Sequence, residues 1–270
     1  MAASVPVVVC GAAGRMGRRI IALAEADPHV HIVGAVEAPG SDAVGRDAGE
    51  MAGAAKLGVA VVDDYARVCD ASTVTLDFTA PAVSLANVET AAARGAAIVV
   101  GTSGLSREER GRIEGLSTNM ATMVAANMSV GVNVLLSLVA DAVRRLGDRF
   151  DCEIVEIHHN RKKDAPSGTA IALAEAAAAA AGWDPDEAIV AAREGFVGER
   201  GDKEIGVVAL RGGDNVGEHS VYLVGAGERL ELTHRAASRD CLAGGALVAA
   251  AWLAGKPAGF YSMQDVVAGA

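Results

Sequence analysis

Aromatic side chains are scarce: four Phe, three Tyr and two Trp make up 3% of 270 residues. With 51% apolar residues, the core has to be assembled from Ala, Val, Leu and Ile, and that abundance excludes intrinsic disorder. Cysteine is sparse too. Cys10, Cys69, Cys152 and Cys241 are far apart and form no CxxC pair, which excludes a disulfide framework and fits small apolar fillers in a reducing, cytoplasmic compartment. Positive charge is the minority sign: 24 Lys and Arg against 34 Asp and Glu give a net −10, which repels phosphate backbones and argues against nucleic acid as a partner. The uncharged stretch Cys241 to Gly255 is too short to span a membrane and reads as a buried helix. The start, MAASVPVVVC, has no basic segment before its apolar run and is not expected to be a signal peptide.

What is present alternates. Apolar runs at Val5–Cys10, His31–Val36, Val59–Val62, Val74–Phe78 and Ala96–Val100 read as strands, with helical patterns between them at Gly14–Ala26 and Val83–Arg94. Strands alternating with helices predict a doubly wound parallel sheet. Beyond Asn127 the pattern changes: a long helix at Val130–Leu146, a strand at Cys152–His158, a polar loop, and an alanine-rich helix from Thr169 to Ala181. Ile205–Arg211, Ser220–Leu223 and Arg229–His234 then read as antiparallel strands separated by Gly-rich turns. The expected fold class is therefore α/β: a Rossmann-type domain, residues 1–127 plus 236–270, and a smaller α+β domain on an antiparallel or mixed sheet, residues 128–235. The last helix, Cys241–Ala254, is expected to pack back on the first domain without a strand of its own.

Between the first strand and first helix lies Gly11-Ala12-Ala13-Gly14-Arg15-Met16-Gly17. Small residues there let backbone approach a pyrophosphate, and the N–H groups opening the helix bind its charge. Glu37 ends the second strand about 20 residues further on, where a carboxylate accepts hydrogen bonds from an adenosine ribose. Together these predict a dinucleotide site. Ala13 replaces the usual third glycine and fits if its φ stays negative. Ala38 follows Glu37, so no basic side chain stands there to hold a 2′-phosphate; NADH is expected to serve at least as well as NADPH, with Arg15 or Arg18 as partial substitutes for such a group. Gly101-Thr102-Ser103-Gly104 and Ala125-Ala126-Asn127-Met128 end further strands at the same carboxyl edge, where doubly wound sheets hold ligands.

The densest chemistry is in Glu156-Ile157-His158-His159-Asn160-Arg161-Lys162-Lys163-Asp164-Ala165-Pro166-Ser167-Gly168-Thr169-Ala170. Two histidines and three cations in an acidic chain suit a small anionic substrate. Ser167 reads as the N-cap of the next helix, whose N–H groups, with the Thr169 hydroxyl, make a carboxylate site, and Lys162 adds a charge-assisted hydrogen bond. His158 or His159 can supply a proton near neutral pH. No Cys, Asp or third His stands at metal-ligand spacing from the pair, so no metal is expected. His29 and His31 read as structural, while His219 and His234 stay open. The residues themselves lead to a reductase of a small anionic substrate, with an aspartate-type amino-acid dehydrogenase and a non-catalytic dinucleotide sensor as alternatives.

The four blocks 11–17, 101–104, 126–133 and 156–170, with Phe-Tyr-Ser-Met-Gln-Asp-Val at 260–266, resemble the 4-hydroxy-tetrahydrodipicolinate reductases of the diaminopimelate–lysine pathway, nearly end to end. The resemblance implies a Rossmann domain plus a substrate and tetramerisation domain, an NADH or NADPH cofactor, a small dicarboxylate substrate and a homotetramer. It implies His158 as acid/base, Lys162 as proton donor, His159 as a substrate contact, and Gly168 with Thr169 as the carboxylate site. It further implies cofactor contacts from Gly11 through Met16, Glu37, Gly101 through Ser103, and Ala125 through Met128. The family often has Arg where this chain has Ala38, and Thr where it has Ser103.

Overall fold

Runs of Val, Ile and Ala become strands buried on both faces. In the computed structural model, which describes residues 4–269, the chain alternates β1 (Val5–Cys10), α1 (Arg15–Ala24), β2 (Val30–Val36), α2 (Ala48–Ala52), β3 (Val61–Val62), β4 (Val74–Asp77), α3 (Pro81–Arg94), β5 (Ala97–Val100), α4 (Arg107–Leu116) and β6 (Ala121–Val124). These strands are parallel. Their order across the sheet is β6-β5-β4-β1-β2-β3, which reverses direction between β1 and β4. Period-2 alternation divides each strand between two cores. Val7, Val9, Leu76, Val99 and Met123 face the side that holds Ile20 and Ile21 of α1. Val8, Cys10, Ile98 and Val100 face the side that holds Val88 of α3 and Ile113 of α4.

After the second unit the chain returns as α8 (Asp240–Leu253), β12 (Gly259–Tyr261) and α9 (Met263–Ala268). The pattern of residues predicts a helix and no strand for this tail. The structure corrects it: β12 pairs in parallel with β6 and makes the sheet seven-stranded. Three residues rich in Gly and aromatics are too few to show a period. The helix itself sits where it is expected, with its Ala face in the same core as α1. Gly245 is what lets it approach: a Cβ there would stand 1.7 Å from the Met128 carbonyl oxygen.

The second unit, Gly131–Arg239 by contact, carries nearly all of α5 (Val130–Leu146), then β7 (Asp151–His158), α6 (Gly168–Ala181), α7 (Pro185–Ala188), β8 (Ile189–Val190), β9 (Ile205–Arg211), β10 (Glu218–Gly225) and β11 (Glu228–Arg235). Its sheet runs β11-β10-β7-β9-β8. β10 is antiparallel to both neighbours. β9, expected to be antiparallel, is instead parallel to β7, because α6 carries the chain back across the sheet before β9 starts, as parallel neighbours require. α5 and α6 cover one face: Leu135, Val139, Leu173, Ala174 and Ala177 close over Ile154, Val207, Val221 and Leu223. The opposite face leaves Val208, Leu210 and Val224 exposed. Among the described residues no helix is long and apolar enough to cross a membrane.

Adjacent glycines in α8 separate packing from propensity. A Cβ added at Gly244 would have open space for 4 Å around it, whereas one at Gly245 meets backbone. Gly244→Ala is expected to stabilise by up to about 1 kcal/mol, and Gly245→Ala to destabilise by about 2 kcal/mol or more. Urea unfolding of the two variants checks the opposite signs.

Candidate active site

The loop after β1 is shaped by contacts that only glycine permits. Gly11 has φ +77°, and a Cβ on it would lie 2.4 Å from the Phe78 carbonyl oxygen; one on Gly17 would lie 2.2 Å from the Gly11 carbonyl oxygen. Ala13 keeps a negative φ, since only glycines among the described residues have a positive one. Loop amides are mostly committed. Gly11 and Ala12 both donate to the Val36 carbonyl, and Gly14 to that of Gly11. Ala13 donates to Glu37 Oε2 at 2.8 Å, so the acid at the end of β2 is locked onto the loop. Gly14 caps α1 without a side chain, which leaves the first-turn N–H groups of Arg15 and Met16 as the anion donors. Ala12 and Met128 have their side chains in the core, so only their backbones can serve a ligand.

Two openings flank this loop. One, ≈ 630 Å³, is lined by Gly11, Glu37, Ala38, Thr79, Ala80 and Val83 among others. The other, ≈ 250 Å³, lies between Gly14–Met16 and Gly101–Ser103. Sequence reasoning misses what fixes the floor here, which is Asp77. Fully buried at the end of β4, its Oδ1 lies 2.8 Å from Thr79 Oγ1, 2.6 Å from Ser84 Oγ and 3.0 Å from Thr102 Oγ1, and its Oδ2 accepts from Asn87 Nδ2 at 2.6 Å. Thr102 is thereby tied to β4 and α3. A polar residue closing an apolar strand is the signal that could have found it. Just after β6, Ala125 donates to the carbonyl of Val100, the last residue of β5, and Asn127 Oδ1 accepts from Ser129 N at 2.9 Å. A ribose acceptor locked on a glycine loop, an uncapped helix start and an adjoining cavity together fit a dinucleotide.

In the second unit, β7 points Cys152, Ile154, Glu156 and His158 to its helix-covered face by simple alternation. Glu156 is fully buried and has both oxygens occupied. Arg211 of β9 binds it with both terminal guanidinium nitrogens, at 2.8 and 2.9 Å. His158 Nδ1 lies 2.6 Å from Oε2, and Ser167 N donates to Oε1 at 2.9 Å. Burial opposes ionisation, but the Arg211 and His158 hydrogen bonds outweigh it and hold the carboxyl below its usual range. The roles of Arg211 and Glu156 escape sequence reasoning, although a carboxylate in phase with Cys152 and Ile154 demands a buried partner.

The loop that follows carries Lys162, whose Nζ sits 2.7 Å from Asp164 Oδ2; that bond holds the Asp164 carboxyl low. Ser167 caps α6 as expected, accepting from Ala170 N at 3.2 Å, with Gly168 and Thr169 in the first turn. His159 is pushed below the usual histidine range, first by desolvation and then by Arg161 and Arg239. His219 of β10 stands edge-on to His158, with ring centroids 5.3 Å apart, and reaches Ser167 Oγ at 3.1 Å. It is buried, and burial lowers it to about 4. His234 lies opposite His219 on β11. The structure thus gathers His158, His159, Lys162 and Ser167–Thr169 around the end of β7, and the cofactor candidates along the carboxyl edge of the parallel sheet.

Residues 5–128 match the family model described as "Dihydrodipicolinate reductase, N-terminus", and residues 131–267 its "C-terminus" counterpart. The chain is 53% identical to a 4-hydroxy-tetrahydrodipicolinate reductase of Anaeromyxobacter sp. (strain Fw109-5), over 97% of both chains. It is 50% identical to that of Geobacter metallireducens, over 97% of this chain and 98% of the relative. A dipicolinate-bound dihydrodipicolinate reductase from Paenisporosarcina sp. TG-14 superposes with TM-score 0.74 at 20% identity, covering 96% and 98% of the two chains. An amine dehydrogenase from Mycobacterium smegmatis shares the fold at TM-score 0.61 and 14% identity, with 97% and 96% coverage.

The His219 position makes a pH prediction. An unfolded chain takes up a proton at this ring near pH 6.5, the folded one only near 4. Folding stability therefore falls as pH drops through that window, by on the order of 3 kcal/mol from this group. Urea unfolding at pH 7 and pH 4.5 should show a shallower loss for His219→Gln; equal losses in both proteins would refute the assignment.

Proposed function

This chain belongs to the dihydrodipicolinate reductase family, and from that premise we propose how its own residues perform the reduction. The reaction is the NAD(P)H-dependent conversion of 4-hydroxy-tetrahydrodipicolinate to tetrahydrodipicolinate, in the diaminopimelate route to lysine. When bound, the nicotinamide supplies the hydride. Gly11, Gly14 and the Arg15 and Met16 amides hold its pyrophosphate, Glu37 its ribose, and Gly101–Ser103 with Ala125–Asn127 the nicotinamide end. The observation that carries the substrate half is the His158–Lys162–Ser167 constellation around a buried carboxylate.

A dicarboxylate brings two negative groups to this loop. One carboxylate competes with Asp164 for the Lys162 ammonium, a single exposed partner that a ligand can displace at little cost. The Ser167–Thr169 backbone at the start of α6 receives the same group through its N–H donors, and the neutral His159 adds a hydrogen bond. Loss of the 4-hydroxyl as water gives the conjugated ring, and hydride addition to it leaves an electron pair that must be protonated; His158 provides that proton from Nε2, the nitrogen not committed to Glu156.

Cofactor choice follows from the same contacts. Arg18 donates to the Ala13 and Met51 carbonyls, so it is spent on backbone and is not offered to a 2′-phosphate. With Ala38 beside Glu37, NADH is the cofactor used at least as well as NADPH. The homotetramer is supported by the open sheet face, where Val208, Leu210 and Val224 are exposed, together with Phe196 and Val197 in the loop before β9. The cytoplasm is the compartment these features suit.

Oxidation of NADH and NADPH, with substrate generated in place by dihydrodipicolinate synthase from pyruvate and aspartate semialdehyde, tests the reading. Oxidation should depend on the synthase, and NADH should match or exceed NADPH. Lys162→Ala is expected to lower kcat by about 100-fold or more with the Kd for NADH nearly unchanged; equal losses in both would remove Lys162 from its role. Leu210→Lys should shift the mass by light scattering from tetramer towards smaller species, and an unchanged mass would count against this face as the interface.

A further inference from the structure

Glu156 does more than fill a place in the core. A carboxylate that is fully buried needs compensation in charge and in hydrogen bonds, or it costs several kcal/mol. Arg211 supplies the charge. The same guanidinium also donates to the Asp164 carbonyl oxygen at 2.7 Å, which ties the Lys162-bearing loop to β9. Ser167 N, on Oε1, ties the start of α6 to β7. His158 Nδ1, on Oε2, completes the set. One carboxylate therefore holds three separate pieces of the substrate site.

The hydrogen bond to His158 has a direction. An ionised carboxylate only accepts, so Nδ1 must carry the proton, and Nε2 becomes the nitrogen that gains or loses one. Towards β10 the Nε2 edge meets a glycine: a Cβ on Gly217, just before that strand, would stand 3.0 Å from Nε2. Glycine at that position keeps the edge clear.

We propose that Glu156, neutralised by Arg211, is a positioning residue for the reduction, fixing His158 as the Nδ1–H tautomer with Nε2 directed to proton exchange, and that Gly217 keeps that nitrogen accessible. The inference rests on His158 handling the proton, as argued above. The proton passes from His158 Nε2 to the hydride-reduced ring. His158 is left neutral with Nδ1–H still on Glu156, and Nε2 is recharged from solvent; Glu156 neither gains nor loses a proton.

The test combines kinetics with ring-nitrogen NMR of enzyme labelled with 15N-histidine, the His158 signals being identified by their loss in His158→Asn. At a pH where the ring is neutral, the parent enzyme should show the Nδ1–H tautomer alone. Glu156→Gln should give a mixture or the opposite tautomer and lower kcat by about 100-fold, with the Kd for NADH unchanged. Gly217→Ala should leave the tautomer intact and lower kcat by about 10-fold. Should Glu156→Gln not fold, the charge-neutral pair Glu156→Gln/Arg211→Gln takes its place. A parent His158 in the Nε2–H form, or Glu156 variants that keep both tautomer and kcat, overturns the proposal. Full turnover by His158→Asn instead removes the premise, and so separates failure of the proton assignment from failure of the positioning role.

Discussion

The buried charge of Glu156 is the constraint on which the substrate half depends. Alternation along β7 sends this carboxylate into the same face as Cys152 and Ile154, a place where an uncompensated charge cannot persist. Every solution to that problem brings a functional element with it. Arg211 comes from the strand on one side, and the register of β7 with β9 sets it opposite His158. The remaining lone pairs are met by the start of α6 and by His158 itself. The strand, the helix start and the Lys162-bearing loop are consequently positioned by one group. Surface salt bridges would contribute little to such a task, being solvated and loosely held; a buried carboxylate with four donor atoms on it fixes geometry because both of its oxygens are held at once.

The dinucleotide half meets an equivalent demand by different means. Asp77 is as buried as Glu156, yet the donors on it are hydroxyls and an amide rather than a cation. Neutral donors suffice here because they surround both oxygens, and three of them belong to segments that border the cofactor openings. Thr79 follows β4, Ser84 lies on α3, and Thr102 belongs to the loop after β5. The carboxyl edge of the parallel sheet is the usual place for ligands in such folds, but the edge alone leaves loop conformation undetermined. In this chain, Asp77 and Glu37 determine it: one gathers the loops after β4 and β5, the other accepts the Ala13 amide of the glycine loop.

The buried carboxylates also mark how far the site is legible in the sequence. Gly11 and Gly17 are legible because their reason is local: a backbone that approaches another backbone admits no Cβ, and the strand–loop–helix setting announces it. Ser167 is legible as a cap for the same reason. His158 and Lys162 stand out by chemical type, and the family resemblance names their roles. Arg211 is not legible, since its importance comes from a register that pairs it with His158 across β7 and β9, two strands far apart in the chain. The parallel direction of β9 is hidden for a related reason: strand direction depends on what crosses between strands, and period-2 alternation is the same either way. β12 is simply too short to carry a pattern. Arg18 has the right type for a phosphate ligand but is held by two carbonyls, a fact of three-dimensional placement.

The distribution of charge shows how an acidic protein presents a cationic site. With a net −10, the surface as a whole repels a dicarboxylate, so attraction must be local and must not be cancelled from within. Arg211 contributes little to it, because its charge is matched by Glu156 at contact distance. His219 and His159 contribute none near neutral pH, both being held below their usual range. What remains is Lys162 with the neighbouring Arg161, Lys163 and Arg239, and Lys162 is paired to the exposed Asp164. That pairing is weak in water and exchangeable for a ligand carboxylate. The site therefore separates two tasks that the same residue types could have confused. The buried carboxylate's cation is matched and holds geometry, while Lys162 keeps an exchangeable counter-ion and, on the proposed reading, meets the substrate. Keeping the surrounding histidines neutral preserves that division.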